Sequence, residues 1–114
     1  MNIVLKSLIK INLIKSFTYR TSIFLESFEP KEEDLQAFYK LVGQNVKNIR
    51  NEKGISQLQL ANLIGHDSVA HIAKAELNKY GKRFNLEHLY KISVALNVDI
   101  KRFFDGTESL QNPL

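Results

Sequence analysis

The sequence predicts an all-α fold, a compact bundle of about five helices preceded by a strand-like amino-terminal arm. Three observations carry this expectation. Ile55 to Glu76 reads as a short capped helix, a glycine turn and a second helix. Before it, Leu35, Phe38, Tyr39, Val42, Val46 and Ile49 recur at helical spacing. After it, Leu86, Leu89, Ile92, Val94 and Leu96 form another apolar series, bracketed by Asn85 and Asn97.

Residues 1–29 are expected to stand apart from a helical domain spanning residues 30–106, with a flexible tail at 107–114. In the arm, the odd positions Ile3, Leu5, Ile9, Ile11, Leu13, Phe17, Tyr19, Ile23 and Leu25 are apolar. The even positions carry Lys6, Lys10, Asn12, Ser16, Thr18, Arg20 and Ser22. A period of two belongs to a strand. About 23 residues is long for one strand, so a hairpin bending near Lys15 and Ser16 is one reading, although no Gly, Pro or Asn-Gly marks the turn. Such an arm leaves a strand edge exposed unless something pairs with it. Strand exchange between two copies, packing on its own domain, and a poorly ordered extension all stay open.

The helical domain opens at Glu29-Pro30. Proline suits the first turn of a helix, and Glu32, Glu33 and Asp34 complement the positive end of its dipole. Gly54 supplies the stop. Gly43 lies mid-pattern, where glycine costs up to about 1 kcal/mol relative to alanine, and is expected to separate an entry helix from the domain's first helix.

In the next helix, Ser56 can accept from the amide of Gln59 while the Gln59 side chain returns to the amide of Ser56, a capping box. Ile55 can staple onto Leu60. Leu58, Ala61, Leu63 and Ile64 are expected to face the core, and Gly65 can take the left-handed angles that end the helix. Ala61, four residues earlier, is small enough to let a second helix cross closely. The polar stretch Asn78 to Asn85 reads as a loop. Asn85 then caps a helix over Leu86–Leu96 that Asn97 closes. Asp99 caps a last short helix through Ile100, Phe103 and Phe104, ended by Gly106, and the tail from Thr107 to Leu114 has little to bury and is expected to fray.

At 114 residues the chain has room for one helical core. It contains no cysteine, which excludes disulfides, thiolate chemistry and Cys-ligated zinc. Its 16 Lys and Arg exceed its 12 Asp and Glu by four, and the sequence pI is near 9.4. Four cations, Lys6, Lys10, Lys15 and Arg20, stand in the acid-free residues 1–25, so the rest of the chain is balanced. Any affinity of the main domain for a polyanion must therefore come from local clustering. No apolar run approaches the roughly 18 residues of a membrane helix, and no secretory signal pattern is found; the expected location is cytoplasmic. There is no phosphate-cradling glycine loop and no nucleophile motif. The acids Glu32, Glu33 and Asp34 are explained by a helix start, so no constellation supports an enzyme. His66, His71 and His88 lack the carboxylate or thiolate partners of a metal site, and neither metal nor cofactor is expected.

Residues Val42 to Phe104 resemble the phage-repressor-like (XRE, Cro/repressor) helix-turn-helix family. The resemblance rests on VGQNVKNIRNEKGISQLQLANLIG, then IAKAE, then LEHLYKISVALNVDIKRFF, in the family's order. It implies a lambda-repressor-like DNA-binding bundle of about five helices whose third enters the major groove of double-stranded DNA. The chain departs from the family by one additional residue between Gly65 and Glu76, placed at His66-Asp67. It departs again in a loop about two residues longer than usual, where Phe84 stands in the place of a common proline.

By this resemblance Arg50 and Glu76 form a partly buried ion pair that orients the recognition helix. Gln57 meets a phosphate at the start of its helix. Recognition falls on Ser68, Val69, Ala70, His71 and Lys74, with Ser68 as cap and Ile72 and Ala75 packed inward. Val69 and Ala70 can touch thymine methyls, His71 can donate to guanine, and Lys74 can meet a base or a phosphate. Asn78, Lys79, Lys82 and Arg83 are expected at the DNA backbone. With no Arg, Asn or Gln on the reading face, direct readout is expected to be modest and DNA shape more important. The implied function is transcriptional regulation by a homodimer with half-sites about one helical turn apart. The competing expectation is an antitoxin or adaptor that uses the bundle or its arm to hold a partner protein such as a toxin.

Overall fold

A computed structural model of the chain describes residues 29–65 and 68–111. The arm at 1–25, the added residue at His66-Asp67 and the last three residues of the tail lie outside the described residues. The described elements are four α-helices, α1 (Glu32–Glu52), α2 (Gln57–Leu63), α3 (Val69–Leu77) and α4 (Leu86–Leu96), followed by short 3-10 helices at Ile100–Phe104 and Thr107–Leu110. No strand occurs among the described residues, so the all-α expectation is met there.

α1 starts two residues after Pro30, with three acids in its first turn, and Gly54 at a φ of 68° ends the chain's run beyond it. It is one continuous helix, which corrects the expectation of a division at Gly43. The glycine is there for packing. A Cβ on Gly43 would collide with the carbonyl oxygen of Ala75 and stand 2.9 Å from that of Glu76, so only glycine lets α3 cross α1 this closely.

The capping box of α2 forms as the spacing predicts: Gln59 N donates to Ser56 Oγ at 3.0 Å, and Ser56 N donates to Gln59 Oε1 at 2.8 Å. The buried face is Leu60, Ala61 and Ile64, while Leu58 and Leu63 are exposed, contrary to expectation. At 3.6 residues per turn, Leu58 and Leu63 fall about 110° to either side of the buried arc. α3 is capped by Ser68 Oγ, which accepts from His71 N at 3.2 Å, and Gly65 takes the left-handed conformation after α2.

α4 has a capping box between Asn85 and His88 and closes at Asn97 with φ of 53°. Leu89, Ile92 and Leu96 enter the core, but Leu86 and Val94, expected there, are 76% and 64% exposed. Val94 lies on the far side of the helix, and at the start of α4 the core takes Phe84 from the preceding loop while Leu86 stays exposed. Ser93 is buried instead, its hydroxyl donating to Tyr90 O at 2.7 Å. Asp99 caps the first 3-10 helix and sends Phe103 to the centre of the core, fully buried with Val46, Leu60, Ile72 and Ile92. Asn45 of α1 donates to the carbonyls of Phe103 and Asp105, at 3.0 and 2.9 Å. At the start of the tail, Thr107–Leu110 forms a 3-10 helix against α1, and Thr107 Oγ1 donates to Phe104 O at 2.7 Å.

Candidate nucleic-acid interface

The position of α3 is set by one carboxylate. Glu76 is 2% exposed, and both its oxygens are occupied by donors from α1 and α2. Arg50 Nε meets Oε2 at 2.7 Å, Arg50 Nη2 meets Oε1 at 3.0 Å, and Gln57 Nε2 donates to Oε1 at 2.8 Å. Arg50 Nη1 donates to Ile55 O at 2.7 Å, fixing the α1–α2 turn as well. A bidentate pair with its remaining donors satisfied is the arrangement in which a buried charge is tolerated. It ties three helices at a single point.

With Ile72, Ala75 and Glu76 turned inward, the outer arc of α3 consists of Ala70, Ala73, Lys74 and Leu77. This is a low, mostly methyl-bearing ridge. Ala70 and Leu77 are exposed, and Lys74 is its one charged group. Val69 packs partly against the core. Ser68 spends its hydroxyl on the helix cap. The His71 ring faces the His88 ring at a centroid distance of 5.2 Å, with its Nε2 shielded from solvent. Ala73 and Leu77 were absent from the sequence-derived reading face; the inward positions Ile72 and Ala75, read with the helical period, point to them.

After α3 the chain turns through Asn78 in the left-handed conformation. The Asn78 amide reaches back to α1, donating to Gln36 Oε1 at 2.7 Å. Arg83 lies with its guanidinium carbon 4.3 Å from the centroid of the Tyr39 ring, also on α1. Lys79 and Lys82 are exposed, and Lys74 Nζ sits 5.7 Å from the centroid of the Tyr80 ring. The sequence-derived residues thus divide. Gln57, Ser68 and Asn78 have polar groups engaged within the fold, while Ala70, Lys74, Lys79, Lys82 and Arg83 gather along the ridge and the following loop. Tyr80, in the midst of these cations, is an exposed residue that sequence reasoning passed over.

Among the described residues no three His, Asp or Glu side chains gather as a metal site, and no helix is long and apolar enough to cross a membrane. What the surface offers is a shallow ridge backed by a rigid scaffold and flanked by cations.

The helix-turn-helix family pattern matches residues 46–103, which run from the middle of α1 to the first 3-10 helix. An uncharacterized HTH-type transcriptional regulator of Rickettsia prowazekii is 34% identical over 86 residues, covering 73% of this chain and 62% of the relative. A second, from Rickettsia conorii, is 33% identical over 86 residues, covering 73% of this chain and 64% of the relative. The chain thus spans less than two thirds of the length of these relatives.

Proposed function

Since the chain belongs to the helix-turn-helix family, matched over residues 46–103, we propose that it is a sequence-specific DNA-binding transcriptional regulator acting as a homodimer. The observation that carries this reading is the anchoring of α3 by Glu76, with the small side chains of its opposite face left open beside Lys79, Lys82 and Arg83. α3 enters the major groove. Ala70, Ala73 and Leu77 contact thymine methyl groups, Lys74 reaches a base edge or phosphate, and the loop cations neutralise the flanking backbone. Gln57 acts through Glu76, holding the groove-facing helix in place. With one charged group on the ridge, sequence discrimination leans on methyl contacts and DNA shape. Two-fold symmetry places the half-sites about one helical turn apart.

The same apolar ridge favours a second reading, an antitoxin or adaptor that docks a partner protein through Ala70, Ala73 and Leu77. A mobility-shift titration with random-sequence duplex DNA across a salt series separates the two. DNA binding predicts retention at low salt that weakens steadily as salt rises. No retention even at the lowest salt overturns it in favour of a protein partner.

A further inference from the structure

The loop after α3 holds an exposed aromatic in a backbone conformation that tyrosine disfavours. Lys82 N donates to Lys79 O at 2.9 Å, closing a tight turn whose central residues are Tyr80 and Gly81, with φ of 54° and 69°. Positive φ at both central positions is the mark of the mirror-image turn, which selects Asn-Gly or Asp-Gly because a bulky side chain is crowded there. Gly81 obeys the rule and Tyr80 does not. Packing gives nothing back, since Tyr80 is 83% exposed. The fold therefore carries a steric cost at Tyr80 that burial does not offset, the kind of outlier that points to a function.

The surroundings indicate which function. Tyr80 stands between Lys79 and Lys82 in the turn, and from α3 Lys74 sets its ammonium 5.7 Å from the ring centroid, within the range of a cation–π contact. Lys74 is the charged group of the outer ridge. An exposed phenol O–H on a surface rich in lysine can donate its proton to an anion that the lysines attract, and a phosphodiester oxygen accepts it.

We propose that Tyr80 is a DNA-contacting residue. Its hydroxyl donates to a backbone phosphate at the edge of the groove that α3 occupies, and its ring holds Lys74 toward the same strand. This rests on the DNA-binding reading above.

The test uses the full chain and short random-sequence duplex DNA, with binding followed by fluorescence anisotropy over a salt series and Tm measured for each variant. Tyr80→Asn places a favoured residue in the turn, so its Tm rises while its Kd weakens more than about tenfold, because both the hydroxyl and the ring under Lys74 are lost. Tyr80→Phe keeps the ring under Lys74 and the wild-type Tm, and weakens binding by about tenfold, the scale of a hydrogen bond to a charged group lost through the hydroxyl alone. Equal affinity of Tyr80→Asn and wild type overturns the assignment, and wild-type affinity for Tyr80→Phe overturns the hydroxyl contact. A lower Tm for Tyr80→Asn overturns the strain argument. If the wild-type chain itself fails to bind duplex at low salt, the DNA-binding reading fails rather than the role of Tyr80 within it.

Discussion

Gly43 of α1 lies directly against the backbone of Glu76 on α3, so close that a Cβ on the glycine would stand 2.9 Å from the Glu76 carbonyl oxygen. The same Glu76 presents its side chain to Arg50, about two turns further along α1. One helix thereby sets both the distance and the rotation of its neighbour, the first by absence of a side chain and the second by a charged one.

Gly43→Ala is expected to destabilise the protein although alanine is the better helix former. The propensity gain is up to about 1 kcal/mol, against an overpacking cost of about 1 to 3 kcal/mol at a rigid backbone contact. Thermal melting should show a lower Tm. A variant as stable as wild type means the two helices can part at little cost.

For the ion pair, Glu76→Ala or Arg50→Ala is expected to cost about 3 to 5 kcal/mol, because each strands the other's charge in a buried site. The double variant Arg50→Ala/Glu76→Ala should lose less than the sum of the two single losses. Denaturant titration of the four proteins measures the coupling. Should both alanine variants keep the wild-type Tm and DNA affinity, the orienting role of the pair is wrong.

Replacing Lys79, Lys82 and Arg83 together by alanine should flatten the slope of log affinity against log salt by roughly three, at about 0.9 per neutralised phosphate. An unchanged slope would show that the three cations are merely solvated.

The ridge is tested by Ala70→Glu. This side chain is exposed in the first turn of α3, where a carboxylate favours the helix, so stability should stay within about 0.5 kcal/mol of wild type. Facing a polyanion, the new charge should weaken duplex binding more than about tenfold. Undiminished binding with an intact Tm would place the DNA on another face.

Capping offers a control that leaves the interface alone. Asn85→Ala removes the side chain that accepts from His88 N at 2.7 Å and should cost about 1 kcal/mol. Its DNA affinity, measured well below its Tm, should match that of wild type.

Much of the fold could be read along the chain, because the signals involved are local. Ser56 with Gln59, Ser68 with His71 and Asp99 with Lys101 each satisfy helix-end amides within three residues of themselves, so their pairing follows from spacing. Gly65 and Asn97 end helices by a conformation that needs no distant partner. The inward set Ile72 and Ala75 and the Arg50–Glu76 pairing follow from resemblance to the family.

The rest depended on what lies across the fold. Gly43 reads as a break along the chain, and only the backbone of α3 packed against it accounts for a glycine there. Leu58, Leu63, Leu86 and Val94 are as apolar as the residues that are buried, and only the placement of neighbouring elements leaves them in solvent. Among the candidate contacts, Gln57 and Asn78 carry the chemistry of DNA ligands, yet their amides are taken by Glu76 and Gln36, partners 19 and 42 residues away. By itself the sequence determined where the capped helices α2, α3 and α4 begin and end, since caps act within a turn or two. Tertiary structure decided which polar groups remain available to a ligand, because a hydrogen bond made across the fold consumes a donor that no local pattern reveals.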